Sequence, residues 1–199
     1  MKGVRKRALT FAILIIIIIA SISVYFFTQP NPNQVAKGAK LIWETTFGGT
    51  GDDRAFFATK TYDEGLLIVG SSASFEEGQT MACIVKLDAN GQQQWNKTYI
   101  SNHGSEFRSA ITLPDGYLIA GNTFFSSGTT KGYIIKVDFS GNLIWQSFLN
   151  STLNSEISKI FSATSDGNNF VIAGLVDLQN TNSTSNVWVA KLDSNGNIL

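Results

Sequence analysis

The order of apolar and polar positions divides the chain into two regimes. From Ala8 to Phe27 runs an apolar stretch without a charge, including Ile13-Leu14-Ile15-Ile16-Ile17-Ile18-Ile19. Beyond Leu41 the apolar residues come instead in short segments closed by Gly, Asn, Asp and Ser, the composition of strands separated by tight turns. In the first such region strands are expected over Phe56–Thr61, Gly65–Ser71, Met81–Leu87 and Gln92–Thr98. The second of these is almost continuously apolar, as a strand covered on both faces must be.

The segments repeat. Lys86-Leu87-Asp88-Ala89-Asn90-Gly91, with Trp95 four residues on, returns as Lys136-Val137-Asp138-Phe139-Ser140-Gly141 with Trp145, and begins again as Lys191-Leu192-Asp193-Ser194-Asn195-Gly196. Asp and Asn bond their own backbone in turns and Gly accepts positive φ, so each copy reads as a β-hairpin. Upstream, Asp63-Glu64-Gly65, Pro114-Asp115-Gly116 and Ser165-Asp166-Gly167 each precede an apolar run ending in Gly70, Gly121 or Gly174. The tryptophans are separated by 52 and 50 residues, and Gly65, Gly116 and Gly167 by 51 each. A period of about 50 with four strands per unit implies an all-β fold, a β-propeller of four-stranded blades, rather than a helical solenoid. The Trp side chains are expected to pack between neighbouring blades.

The N-terminal run has a different meaning. Lys2, Arg5, Lys6 and Arg7 flank it, and twenty residues at about 1.5 Å per residue span a bilayer core. The positive-inside rule keeps residues 1–7 cytoplasmic, makes 8–27 a transmembrane signal anchor, and puts the rest outside the cytoplasm. A cleaved signal peptide is the competing reading; its apolar core is usually shorter, about 7 to 15 residues. Residues 28–40 hold Pro30, Pro32 and Gly38 without apolar periodicity and read as a linker.

Residues 41–199 form the repeats, at about 41–91, 92–141 and 142–196. Leu41-Ile42-Trp43-Glu44-Thr45-Thr46-Phe47 opens this region as a Trp-bearing fourth strand with no hairpin before it, while the third unit lacks that strand. Such a strand completes a blade made by the opposite terminus and removes an open sheet edge. Three units are fewer than the usual four to eight or so blades. The expectation is therefore a partial propeller whose sequence continues, with assembly of three-blade chains into a larger ring and an open arrangement as alternatives.

Composition narrows the chemistry. Fifteen basic residues balance fifteen acidic ones, which argues against nucleic acid as a partner. The lone Cys83 lies in an apolar strand and reads as a buried thiol; the lone His103 lies in a loop without the further ligands that zinc requires. Asp53, Glu106 and Glu156 stand at similar distances after their tryptophans and read as one structural acid per unit. Asp88-Ala89-Asn90-Gly91 lacks the terminal Glu and flanking helices of a calcium loop. The loop Gly48-Gly49-Thr50-Gly51 lacks the Lys-Ser/Thr of a phosphate cradle. Asn96, Asn150 and Asn182 open glycan acceptor triplets. No catalytic, cofactor-binding or metal-ligating residue is assigned, and no cofactor.

The combination of Trp, a Gly-Gly-x-Gly-Asp-Asp loop, an apolar run ending in Gly, and Lys-Leu-Asp-x-Asn-Gly before the next Trp resembles the roughly 50-residue repeats of exported bacterial and archaeal β-propeller proteins. Asp88, Gly91 and Trp95 are also distantly similar to the tryptophan-docking repeat of quinoprotein dehydrogenases, which usually carries a Thr before the Gly and one more spacer. The anchor, the repeats and the absence of catalytic groups point, by fold analogy, to an outward-facing binding module at the cell surface, its partner an unidentified protein or polysaccharide, with self-assembly if three blades are complete. The alternative is part of a propeller enzyme, quinoprotein-like or hydrolytic, whose active residues lie outside these 199.

Overall fold

The computed structural model describes residues 40–75, 79–99, 104–149, 155–167, 169–178 and 185–199. The proposed anchor and nearly all of the linker lie outside them, as do His103, Asn150 and Asn182. No helix among the described residues is long and apolar enough to cross a membrane.

The described chain is all-β. Its strands are β1 (Asp53–Lys60), β2 (Leu66–Ser72), β3 (Met81–Leu87), β4 (Gln93–Tyr99), β5 (Gly104–Leu113), β6 (Gly116–Phe124), β7 (Thr130–Val137), β8 (Leu143–Leu149), β9 (Ser155–Ser165), β10 (Phe170–Leu178) and β11 (Ser185–Leu192). They form three antiparallel sheets in which sequence neighbours pair. β1–β4 make the first and β5–β8 the second. β9–β11 make the third, where Ile198 bridges Leu192 as the start of a fourth strand. A single parallel pair, Thr130 with Ile157, joins the last two sheets at one corner. The four strands expected in the first unit are found, with ends shifted by up to three residues at the start of β1.

Each β3–β4-type turn is built the same way. The Asp88 carboxylate accepts the backbone N–H of Asn90 and of Gln92, both at 2.8 Å, and Gly91 takes φ +81°. Asp138 and Asp193 repeat those bonds, with Gly141 at +74° and Gly196 at +82°. Positive φ suits glycine, and the tight turn forces the bulge seen where β4 leaves it.

A second bulge recurs in the first strands of these sheets, between Ala55 and Phe57 and between Phe107 and Ser109. There the partner strand comes close: a Cβ on Gly70, Gly121 or Gly174 would lie 1.8, 2.0 or 1.8 Å from the carbonyl oxygen of Arg54, Glu106 or Lys159. This contact explains why each apolar run ends in glycine.

The sheets stack face to face. Leu67, Val69, Ala82 and Ile84 of the first pack against Phe107, Tyr117, Ile119, Tyr133 and Ile135 of the second, and all are buried. The other face of the second sheet, with Leu118, Ala120 and Ile134, meets Ile160, Phe170, Ile172 and Trp188 of the third. This explains the continuous apolarity of β6: from Gly116 to Thr123 every residue is buried. Tyr99 and Phe107 meet edge-on across the first interface, with ring centroids 5.7 Å apart.

Candidate functional site

The indoles lie where the repeats touch. Trp95, in β4 of the first sheet, covers Gly141 in the turn of the second, and Trp145 covers Gly196 of the third. A Cβ added to these glycines would lie 3.0 and 2.8 Å from the indole. Tyr99 donates its hydroxyl to the Gly141 carbonyl at 2.8 Å, and Lys97 reaches the Asn142 side chain at 2.8 Å. Burial, with smaller contributions from Tyr133 and Asp138, pushes the Tyr99 phenol well above its usual value. The packing role expected for Trp95 and Trp145 is what the structure shows.

A polar pair repeats alongside, and the sequence reading did not single it out. Lys86 donates to Asp63 at 2.8 Å, Lys136 to Asp115 at 2.7 Å and Lys191 to Asp166 at 2.6 Å. Lys86 is almost fully buried and also donates to the Leu87 carbonyl and Gln94. Its two members recur in the sequence, an Asp before each strand-opening turn and a Lys before each hairpin, but their pairing does not show there. Hydrogen bonds hold the Asp63 carboxyl down at about 2, the first cause being the bond from Lys86 and the second that from Thr61.

The sign follows from that depression. The interaction stabilises the fold above the ordinary value of 3.8 and is lost as the pH falls through about 2. Asp63 is half-exposed, so the effect is modest. In Asp63→Asn the fall of the melting temperature across that acid window should be shallower than in the parent, as thermal denaturation in a pH series would show.

The acids do not occupy one place. Register aligns Asp53 with Ser105, and Glu106 with Arg54, because Ala55 and Phe107 each face the bulge glycine. Asp53 accepts the Gly49 N–H at 2.9 Å and the hydroxyls of Ser72 and Ser74. These bonds, Ser72 first, hold its carboxyl below the usual range. Glu106 instead accepts two bonds from Arg108, at 2.7 and 2.8 Å, and one from Asn122. Arg108 also lies 3.8 Å over the Phe56 ring, linking the first strands of two sheets. A one-residue offset turns a side chain to the opposite face, so equal spacing from Trp does not make a ring of acids.

Among the described residues a concavity of about 430 Å³ lies on the face of the first sheet turned away from the second. Trp43, Phe47, Asp53, Ile68, Cys83 and Val85 are among the residues that line it. Trp43 covers Gly91 as the other indoles cover their glycines, 2.9 Å from a Cβ placed there. Burial, then the Asp53 charge, pushes the Cys83 thiol up to about 11, so at neutral pH it is a thiol and not a nucleophile. Among the described residues no group of three or more His, Cys, Asp or Glu is placed to hold a metal ion. A lone cysteine also precludes a vicinal cysteine pair. The lining of this groove is mostly apolar, with Asp53, Arg54 and Ser72 among its polar members.

No family model matches the chain, and no curated protein matches its sequence.

Proposed function

We propose that the chain is a membrane-anchored, extracytoplasmic β-propeller acting as a binding module at the cell surface. The observation that carries this reading is the repeated docking of an indole onto the turn glycine of the next four-strand unit. Its recurrence supports reading the sheets as equivalent blades. The basic-flanked apolar run at 8–27 supplies the anchor and the outward orientation. Turns and loops on a rigid scaffold are where partners are met, and the warrant for a binding role is this fold analogy.

The test uses the full chain expressed in cells and then purified in mild detergent. Protease added to intact cells should remove the repeat region while residues 1–27 stay with the membrane. Purified chain should be retained on envelope or cell-wall polysaccharide fractions. Protection of the repeats in intact cells would overturn the orientation, and passage through every fraction would overturn the binding role.

A further inference from the structure

The fourth strands of the first two sheets occupy the same place and carry opposite chemistry. Their registers with β3 and β7 make Gln93, Gln94, Asn96 and Thr98 of β4 equivalent to Leu143, Ile144, Gln146 and Phe148 of β8. In β4 these positions are all polar and Lys97 adds a charge, the usual protection of a sheet edge. β8 has no charge from Leu143 to Leu149, and Leu143, Ile144 and Phe148 are each between 43 and 53% exposed. Both faces of the second sheet are covered by its neighbours. Its open surface is therefore the outer edge, where among the described residues β8 pairs with β7 alone.

The strand also matches itself. Phe148 stacks on Tyr133 with ring centroids 5.0 Å apart, and Gln146 accepts the Tyr133 hydroxyl at 3.0 Å, which puts both on one side of the sheet. Alternation puts Ile144 there too, two residues before Gln146 as Phe148 is two after it. Laid antiparallel to a second β8 about Gln146, the strand sets Ile144 of each copy opposite Phe148 of the other, Leu143 opposite Leu149, and the two Gln146 side by side. Three half-exposed apolar side chains and a seven-residue backbone edge from each copy bury on the order of 1,000 Å² in all, the size at which a specific contact begins.

From this self-complementarity we infer that two copies of the chain pair edge to edge through β8, antiparallel about Gln146, joining their second sheets into one continuous sheet. Ladder hydrogen bonds supply affinity, and the Ile144–Phe148 pairs fix the register. The contact uses one surface on both copies and closes about a two-fold axis, so association stops at two. It needs the three-sheet fold, but neither the anchor nor the binding role.

Light scattering on the full chain in mild detergent should give a protein mass twice that of one chain. The variant Leu143→Gln, Ile144→Gln, Phe148→Thr installs in β8 the residues that β4 carries at the same positions, so its sequence is one this place in a sheet already accepts. It should weaken dimerisation by about 100-fold or more while circular dichroism stays that of the parent. If that variant does not fold, Ile144→Lys, a single change at an exposed site, should weaken dimerisation by a similar factor through its unpaired charge. In a Cys83→Ala background, Gln146→Cys should form a disulfide between chains on mild oxidation, since residues directly opposite on antiparallel strands have Cα atoms about 4.5–5.5 Å apart. Asn96→Cys, at the equivalent position of β4, should not. A monomer overturns the pairing. So does a dimer that persists in the folded edge variant or fails to cross-link at residue 146, since that dimer is held elsewhere. Masses that keep rising with concentration would show open-ended association and overturn the closed pair.

Discussion

Gly121→Val should leave little or no folded protein. The new Cβ would stand 2.0 Å from the Glu106 carbonyl oxygen and 2.6 Å from the Phe107 Cα, both backbone atoms that cannot turn aside. Gly121 lies in the middle of β6, in the sheet covered on both faces, so relief requires breaking the ladder to β5 or shifting both neighbouring sheets. Over-packing a close-packed interior usually costs about 1–3 kcal/mol, and the backbone collision places this case at the top of that range or beyond. The measurement is a denaturant titration followed by circular dichroism. As a control, Gly104→Val adds a Cβ whose nearest neighbours lie 3.7 and 3.8 Å away, at a position without positive φ, and should cost far less. Equal losses at the two sites would show that steric contact at the bulge is not what requires glycine.

Trp95→Ala is expected to have the next largest effect, about 2–4 kcal/mol, since it removes a large, partly buried aromatic side chain from between two sheets. The loss arises at the junction with the second sheet, over Gly141 and beside the core that Tyr99 and Phe107 share. Its signature should therefore be separation of the units as well as a lower midpoint. Hydrogen exchange should accelerate most in β1–β4, while β6 and β7 stay protected by the third sheet. A uniform increase over all strands would mean that the sheets fold as one unit and that the indole is not a joint.

The hairpins were readable from residues alone because their causes are local. Asp88, Asn90 and Gly91 determine their turn through bonds spanning at most four residues, and any copy of the motif makes the same turn. The apolar run of β6 likewise announced burial on both faces. The reading of residues 8–27 as an anchor falls outside the described residues. What could not be read depended on register between strands far apart in sequence. The bulge beside Gly70 and Gly121 is invisible in the spacing from Trp to acid, so Asp53 and Glu106 looked equivalent and are not. The Lys86–Asp63 pair joins residues on either side of two strands, and it emerges only when β2 and β3 are laid together. The groove over Cys83 could not be foreseen either, because it reflects small side chains in the first sheet at positions that are aromatic in the second.

Among the described residues almost every ladder links strands adjacent along the chain; the one parallel pair is the exception. Each sheet is thus a self-contained meander, and long-range contact is confined to the planes where sheets meet. Such an arrangement has low contact order for a β protein and should fold by fast local closure followed by docking of finished pieces. It also makes size an easy variable for evolution. Duplicating one meander adds one interface of a kind already present and leaves every earlier strand order undisturbed.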